Sequence, residues 1–230
     1  MRKIQRLAAA GAMAALTAVI GACSNTQGPA TGSQAGESAT AGAQATPGAE
    51  AAAPAGTGVT KISDIFGPAC DQVPKEGPGS PQGMVDDPVA TAASHNPLLT
   101  TLTKAVTAAK LVDTLNSAPA LTVFAPADPA FQALEAQHPG ILNELTTAPD
   151  AASPTGKLYK ILTYHVVGQR YDAAGIVKAG TLDSLEGGKI NIGGTAAAPT
   201  INGAPVLCGN IPTKNATVFV IGQVLSPPTS

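Results

Sequence analysis

The sequence predicts an α+β domain at the carboxyl end of an exported chain. Amphipathic segments rich in Ala and Leu occupy the first half of residues 61–230, and short β-branched segments separated by Gly, Pro and Asn occupy the second half. Helices and strands that are segregated along the chain in this way are typical of the α+β class, in which helices cover a sheet. The length of this region is that of one domain.

Residues 1–22 are predicted to form a lipoprotein signal peptide. Three basic residues lie among the first six, and an uncharged apolar stretch follows over residues 7–20. This stretch is shorter than the roughly 20 residues that a transmembrane helix needs, so a cleaved leader is favoured over a retained span. Gly21 and Ala22 then precede Cys23, an arrangement that resembles the lipobox of bacterial lipoproteins. The alternative is an ordinary signal peptide with an incidental cysteine at this position.

Acylation of Cys23 determines where the mature chain is expected to reside. Two or three acyl chains, at about 0.8 kcal/mol per buried methylene, hold a protein stably in a bilayer, whereas a single chain is marginal. We therefore expect palmitate or a related acyl group on Cys23, and a location at the extracellular face of the cell membrane. Partial release to the extracellular region stays open.

Residues 23–60 are predicted to be the lipidated amino terminus and a disordered tether. Ala, Gly, Thr, Ser, Gln and Pro dominate this segment, which has Glu37 and Glu50 as its only charges and no aromatic residue. Such a composition cannot bury enough apolar surface to offset the entropy lost on ordering. A flexible coil of this length has an end-to-end distance of about 30 to 37 Å, enough to lift a domain clear of the lipid headgroups. The Thr, Ser and Pro content also suits O-glycosylation, which composition alone does not establish.

Five segments of the domain are predicted to be helical. Asp87-Pro88 and Asp128-Pro129 each combine a capping carboxylate with a proline that fixes the first helical φ, so each aspartate is expected to cap the helix that follows it. Apolar residues at helical spacing indicate core-facing stripes. The predicted helices are Lys61–Cys70, the segment from Asp87 to Asn96, Leu98–Ala109, the segment from Asp128 to His138, and Gly156–Leu162.

Short β-rich runs between turn residues are predicted to be strands. The run Leu121–Ala125 is apolar and ends at Pro126, and Gly187-Gly188 is typical of a hairpin connection. The other predicted strands are Thr181–Leu185, Lys189–Ile192, Thr200–Asn202, Val206–Cys208 and Thr217–Leu225.

Cys70 and Cys208 are predicted to form a disulfide. An even pair of cysteines in an exported protein is usually crosslinked, and closing so long a loop would stabilise the fold by up to about 4 to 5 kcal/mol in the chain-entropy model. A metal site is the weaker alternative, because His95, His138 and His165 show no ligand spacing. We expect neither a metal nor a cofactor.

The charge of the mature chain argues against nucleic acid as a partner. Without the three basic residues of the leader, ten basic residues stand against fifteen acidic ones, a formal net charge of −5. The basic residues are scattered singly, and no stripe of them suggests a surface that tracks phosphates.

Three segments follow one another at sensible spacing: LVDTLN and then LTVFAPADPAF over residues 111–131, Tyr164-His165, and NATVFVIGQVLSPP over residues 215–228. Together they resemble the motifs of the fasciclin-domain family. Tyr164-His165, which follows a predicted helix, resembles the central Tyr-His motif of that family. The resemblance covers roughly residues 84–228, and with the lipobox and tether the chain resembles the single-fasciclin surface lipoproteins of actinobacteria.

The resemblance implies a fold and a set of candidate binding residues. The implied fold is a wedge-shaped β-sandwich of about seven strands decorated by helices, and the implied roles are adhesion and surface interaction. Animal members are linked to integrin binding through an Asp-Ile pair and residues around Tyr-His, which makes Tyr164, His165, Asn210 and Ile211 candidates here. Asn210 replaces the usual aspartate and Phe219 replaces a common histidine, so the integrin role is not carried over. The alternative for Tyr164-His165 is a polar pair satisfied inside or beside the core.

The sequence favours binding over catalysis. It contains no GxSxG elbow, no HExxH motif and no Gly-rich phosphate loop. The first hypothesis is an adhesion or interaction module that binds a protein or glycan of the cell wall, matrix or host surface. The second is a carrier of a lipid or small hydrophobic ligand, because aromatic-poor aliphatic helices can open a groove against a sheet; ordinary core packing explains the same pattern. The sequence identifies neither the ligand nor the oligomeric state.

Overall fold

Seven β-strands form one curved sheet within residues 58–228, the part of the chain that the computed structural model describes. The predicted leader, Cys23 and nearly all of the predicted tether lie outside the described residues. The strands are β1 (Leu121–Pro126), β2 (Val166–Val167), β3 (Thr181–Asp183), β4 (Lys189–Thr195), β5 (Ala198–Ile201), β6 (Ala204–Pro212) and β7 (Ala216–Ile221).

Eight α-helices pack around this sheet in the described part of the chain. They are α1 (Pro81–Met84), α2 (Val89–Ser94), α3 (Thr100–Ala108), α4 (Val112–Ser117), α5 (Asp128–Gln137), α6 (Ile141–Thr147), α7 (Lys157–Tyr164) and α8 (Ala173–Ala179). None of the helices between residues 58 and 228 is both long and apolar enough to cross a membrane.

The sheet nearly closes on itself. Its strand order is β2-β1-β7-β6-β5-β4-β3, and β1 pairs parallel with β7 but antiparallel with β2. The two outer strands are linked by a bridge between Val167 and Ser184, and the Leu185 N–H donates to the Val166 carbonyl at 2.7 Å. This near closure leaves little free strand edge for pairing with other chains.

Two hydrophobic cores lie on opposite faces of the central strands. Val123 and Val218 point outward to a core shared with the helices, whereas Phe124 and Phe219 point into the space that the sheet encloses. The two phenylalanine rings lie 5.8 Å apart. Because side chains alternate along a strand, β1 and β7 are apolar at nearly every position and are buried on both faces.

The predicted class and strand number are confirmed. The fold is α+β with seven strands, and the hairpin at Gly187-Gly188 joins β3 to β4, with Leu182 opposite Ile190. The boundaries differ in detail, because β4, β5 and β6 begin or end beyond their predicted limits and β7 ends at Ile221 rather than Leu225.

Some helices differ from the prediction. The predicted helix Lys61–Cys70 is wrong: two short 3₁₀ turns, Ile62–Asp64 and Cys70–Gln72, flank a segment in which Phe66 bridges to Gly209 and the chain then bends at Gly67. Helices α1, α4, α6 and α8 had no counterpart in the prediction. For α8 the signal was present, because Asp172 accepts from the Gly175 N–H as a helix cap at 2.6 Å.

Asparagines from distant segments cap α2, and the predicted cap by Asp87 is wrong. The N-cap residue of α2 is Pro88, and it makes no side-chain cap hydrogen bond. Instead the Asn215 amide oxygen accepts from the Val89 N–H at 2.9 Å, and the Asn116 amide oxygen accepts from the Ala90 N–H at 3.0 Å. Asn215 also donates to two carbonyls near the end of α4. Its side chain is buried and its amide is fully hydrogen-bonded, so Asn215 serves the fold at the turn before β7.

Asp128 is the first residue of α5, but its carboxylate caps α3. It accepts from the Thr100 hydroxyl at 2.6 Å and from the Thr101 N–H at 2.8 Å. The prediction that Asp128 caps its own helix is therefore wrong. Partial burial acts to raise the pKa of Asp128, but these hydrogen bonds outweigh burial and lower the pKa below its ordinary value.

Replacing Asp128 with alanine is expected to lower the free energy of unfolding by about 1 to 2 kcal/mol, because α3 loses its cap. The folded-state pKa lies below the unfolded value of 3.8, so the stabilisation is present above pH 3.8 and is lost as the pH falls below it. Urea unfolding of the wild type and the variant at neutral and strongly acidic pH measures both effects. Asp128→Asn, which keeps an acceptor, should lose less; equal stabilities of wild type and Asp128→Ala at neutral pH would refute the cap.

Candidate binding site

Cys70 and Cys208 form a disulfide, as predicted. Their Cα atoms lie 5.0 Å apart and their sequence separation is 138 residues. Cys208 belongs to β6 and is fully buried in the core that the sheet shares with the helices, which is called the outer core here. The crosslink joins the segment that leads into the domain to one of the last strands.

Backbone hydrogen bonds hold the same leading segment against β6. Phe66 and Gly209 exchange hydrogen bonds of 3.3 and 2.8 Å, and the Ala69 N–H donates to the Leu207 carbonyl at 2.9 Å. A Cβ at position 209 would lie 2.6 Å from the Phe66 ring, so glycine is what allows the ring to lie directly on this strand. The disulfide therefore closes a contact that the backbone also makes.

Tyr164 is only 2% exposed, and its ring lies in the space enclosed by the sheet. Its hydroxyl donates to the Lys189 carbonyl at 2.7 Å and accepts from the Asn202 amide at 2.8 Å. The Asn202 amide oxygen in turn accepts from the Asn191 N–H. Tyr164 thus ties the end of α7 to β4 and to the turn between β5 and β6.

His165 is 3% exposed, and both of its ring nitrogens are hydrogen-bonded. Nδ1 lies 2.7 Å from the Ile161 carbonyl, and Nε2 accepts from the Leu225 N–H at 2.9 Å. A backbone N–H can only donate, so Nε2 carries no proton and Nδ1 carries the single proton of a neutral imidazole. His165 thereby fixes the segment that follows β7 against the end of α7.

Burial lowers the pKa of His165 from 6.5 to about 4, although the hydrogen bond to the Ile161 carbonyl acts in the opposite direction. The ring is therefore neutral at physiological pH. A second proton would have to enter at Nε2, where the Leu225 N–H already points.

Asn210 and Ile211 are also interior residues. Asn210 has a positive φ of 58°; its amide oxygen accepts from the Ala173 N–H at 2.8 Å, and its amide nitrogen donates to the Asp64 carbonyl at 3.1 Å. Ile211 is buried in the outer core. The candidate residues thus form no shared surface patch: Tyr164 and His165 act at α7, and Asn210 and Ile211 act at β6. Their binding role stays a prediction, and Cys23 lies outside the described residues.

Two apolar cavities beside His165 were marked by no sequence motif. The smaller apolar cavity, of about 140 Å³, lies between α2, α3, α4, α7 and β1. The larger apolar cavity, of about 370 Å³, lies between α3, α5, α6 and α7. Leu102, Leu162 and His165 line both cavities and separate them.

A groove of about 640 Å³ lies along β4 and β5, and it is called the polar groove here because several polar side chains line it. Lys189, Asn191 and Thr200 from β4 and β5 line it, together with Asn202 and Ser226. Alternate residues of β4, namely Lys189, Asn191 and Gly193, are exposed on this side, unlike the fully buried β1 and β7. The groove offers amides and hydroxyls of the kind that bind a peptide or a glycan by hydrogen bonds.

Across residues 58–228, no group of three His, Cys, Asp or Glu side chains is placed to hold a metal ion.

A protein-family model described as the fasciclin domain matches residues 97–227. The immunogenic protein MPB70 of Mycobacterium bovis is 41% identical to this chain over 173 residues, which cover 72% of this chain and 83% of that protein. The cell surface glycolipoprotein MPB83 of M. bovis is 37% identical over 230 residues, which cover 96% of each chain.

A solved structure is similar in fold. The FAS1 domain pair of the insect cell adhesion molecule fasciclin I matches 64% of this chain and 52% of that chain, with a TM-score of 0.53 and 20% sequence identity. At that identity the match concerns the fold alone.

Proposed function

This chain belongs to the fasciclin-domain family, and we propose that it is a lipid-anchored cell-surface module that binds protein or glycan partners outside the cell. The observation that carries the proposal is the match to a cell surface glycolipoprotein along 96% of both chains. That match extends well beyond the domain, into the part of the sequence that resembles a lipobox and a tether.

The described domain has features that suit a binding module. Tyr164, His165 and Asn210 are engaged within the fold, and the polar groove presents hydrogen-bonding groups that the fold leaves free at Asn191 and Thr200. Many copies of one domain on one membrane raise the avidity for a partner surface even when each contact is weak. We expect no catalytic activity, and the membrane, reached through acylated Cys23, is the first partner.

Cells of the host that display the wild-type chain are expected to bind immobilised wall and matrix material. Cys23→Ala is expected to abolish this adhesion, and also to abolish labelling with an alkyne analogue of palmitate. The paired change Asn191→Ala/Thr200→Ala should keep the label and lose at least about tenfold in adhesion, since both side chains line the groove. Labelling, surface protease shaving and adhesion counts under flow provide the measurements.

Lys178→Ala serves as the control, because Lys178 is exposed on α8 and lies away from the groove. Labelling that persists in Cys23→Ala would contradict the proposed lipid anchor at Cys23. Adhesion equal to that of cells without the protein would remove the adhesive role, and unchanged adhesion of the groove variant would place the contact elsewhere on the domain.

The carrier hypothesis is the second candidate function. The observation that favours it is the pair of apolar cavities beside His165.

A further inference from the structure

The two apolar cavities are neighbours that share one thin wall. Leu102 from α3, Leu162 from α7 and His165 form this wall, and each of the three lines both spaces. The larger apolar cavity falls within the range of about 300 to 1,000 Å³ that is usual for ligand sites. The smaller one is close to the ~150 Å³ of an engineered apolar cavity that binds benzene.

The walls offer almost nothing to which water could bind. The two nitrogens of His165 are paired with the protein, and the Thr163 hydroxyl donates to the Tyr159 carbonyl at 2.9 Å. The Thr146 hydroxyl, in the larger apolar cavity, donates to the Leu142 carbonyl at 2.7 Å. An apolar space of this kind stays dry, because a water molecule needs two to four polar partners. An alkyl chain makes no such demand and gains from leaving water.

The polar residues of the larger apolar cavity lie mainly on its outer side. Lys104 and Asn143 are exposed residues of α3 and α6, and both contribute to the lining. The Lys104 ammonium makes no ion pair or hydrogen bond within residues 58–228, so it is available to an anionic group at this rim. An apolar interior beneath one free cation matches an amphiphile with one alkyl chain and one negative head.

We propose that the two cavities form a binding site for a long-chain fatty acid. The carboxylate lies at Lys104 and Asn143, and the chain fills the larger apolar cavity. Rotation of the Leu102 and Leu162 side chains lets the end of the chain into the smaller cavity, while His165 keeps its two hydrogen bonds. The site is independent of the adhesive function, since the polar groove lies on other residues.

The full chain carrying Cys23→Ala, which removes the predicted acylation site, is titrated calorimetrically with decanoate, dodecanoate and tetradecanoate below their micelle concentrations. We expect one site per chain. The affinity should rise by about fourfold for each added methylene until the cavities are full, as burial of alkyl groups requires. Binding should also carry a negative heat-capacity change.

Two pairs of variants locate the ligand. Ala105→Leu fills the larger apolar cavity and should weaken tetradecanoate binding at least about tenfold. The melting temperature should not fall, because the added side chain occupies empty space. Ala133→Leu, on the exposed side of α5, is the control for this variant. Lys104→Gln should weaken tetradecanoate about fivefold and leave tetradecanol unchanged, whereas Lys178→Gln should affect neither ligand.

Failure of all three acids to bind would overturn the proposal. So would an affinity independent of chain length, or an equal loss in Ala105→Leu and Ala133→Leu. A two-chain phospholipid can be offered instead of the fatty acid. If the protein binds it more tightly, the site belongs to a different lipid class and the fatty-acid proposal is rejected.

Discussion

Replacing Cys70 and Cys208 together with alanine is expected to lower the free energy of unfolding by about 4 to 5 kcal/mol, the largest effect of any change considered for this protein. The crosslink spans 138 residues of sequence, so it removes much of the conformational freedom of the unfolded chain. For a domain of this size the change corresponds to a melting temperature roughly 10 to 15 °C lower.

The folded state should survive this change at low temperature. Phe66 and Gly209 pair through the backbone, and Ala69 pairs with Leu207, whether or not the sulfurs are joined. Alanine also avoids burying a hydroxyl at position 208, which is fully buried. We therefore expect a cooperative transition and a native circular dichroism spectrum from the double variant.

Scanning calorimetry with and without a thiol reductant checks the disulfide prediction. Reductant should lower the melting temperature of the wild type to that of the double variant and should leave the double variant unchanged. A wild type and double variant that melt together under oxidising conditions would show that the crosslink adds no stability.

Replacing His165 with alanine is expected to cost about 3 to 4 kcal/mol of stability. The change orphans the buried Leu225 N–H and the Ile161 carbonyl, and it removes part of the wall between the two apolar cavities. His138→Ala, at an exposed histidine, is the matched control. Denaturant unfolding measures the difference; a stable His165→Ala variant that no longer adheres would make His165 a contact residue.

The neutral state of His165 also makes the stability depend on pH. Its pKa is about 4 in the folded protein and 6.5 in the unfolded chain, so the unfolded state binds the proton first as the pH falls. The stability is fully present above pH 6.5 and is lost progressively down to about pH 4, where the loss amounts to about 3 kcal/mol.

Unfolding free energies of the wild type and His165→Leu across this pH range test the linkage. The leucine variant starts less stable but should lose about 3 kcal/mol less between neutral pH and pH 4, because it has no imidazole to protonate. Parallel pH profiles for the two proteins would contradict the assignment. Amide exchange at Leu225 should report the opening of this contact directly.

Features that depend on residues close together in the sequence could be predicted from it. The apolar run of β1 and the Gly187-Gly188 hairpin follow from residues a few positions apart. The crosslink between Cys70 and Cys208 followed from counting cysteines in an exported chain. Motif order alone was enough to suggest the family.

Features that depend on distant contacts were not visible. Asp87 and Asp128 carry the sequence signal of a helix cap, yet α2 is capped by Asn116 and Asn215, and Asp128 caps α3. Helix α6 starts with its amides held by Glu135 of the preceding helix. A backbone N–H donates to any well-placed oxygen, so an oxygen that is close in sequence is not favoured over one that is close only in space.

The sequence by itself determined the α+β class, the Cys70–Cys208 disulfide and the positions of the principal strands, because these follow from side-chain periodicity and residue type. Only the tertiary structure decided that β1 and β7 pair in parallel, that Tyr164 and His165 face inward, and that two apolar cavities flank His165. Whether a side chain serves the core or a ligand depends on which polar groups surround it after the chain has folded. Burial and hydrogen bonding between residues tens of positions apart set that outcome, and a linear pattern does not encode them.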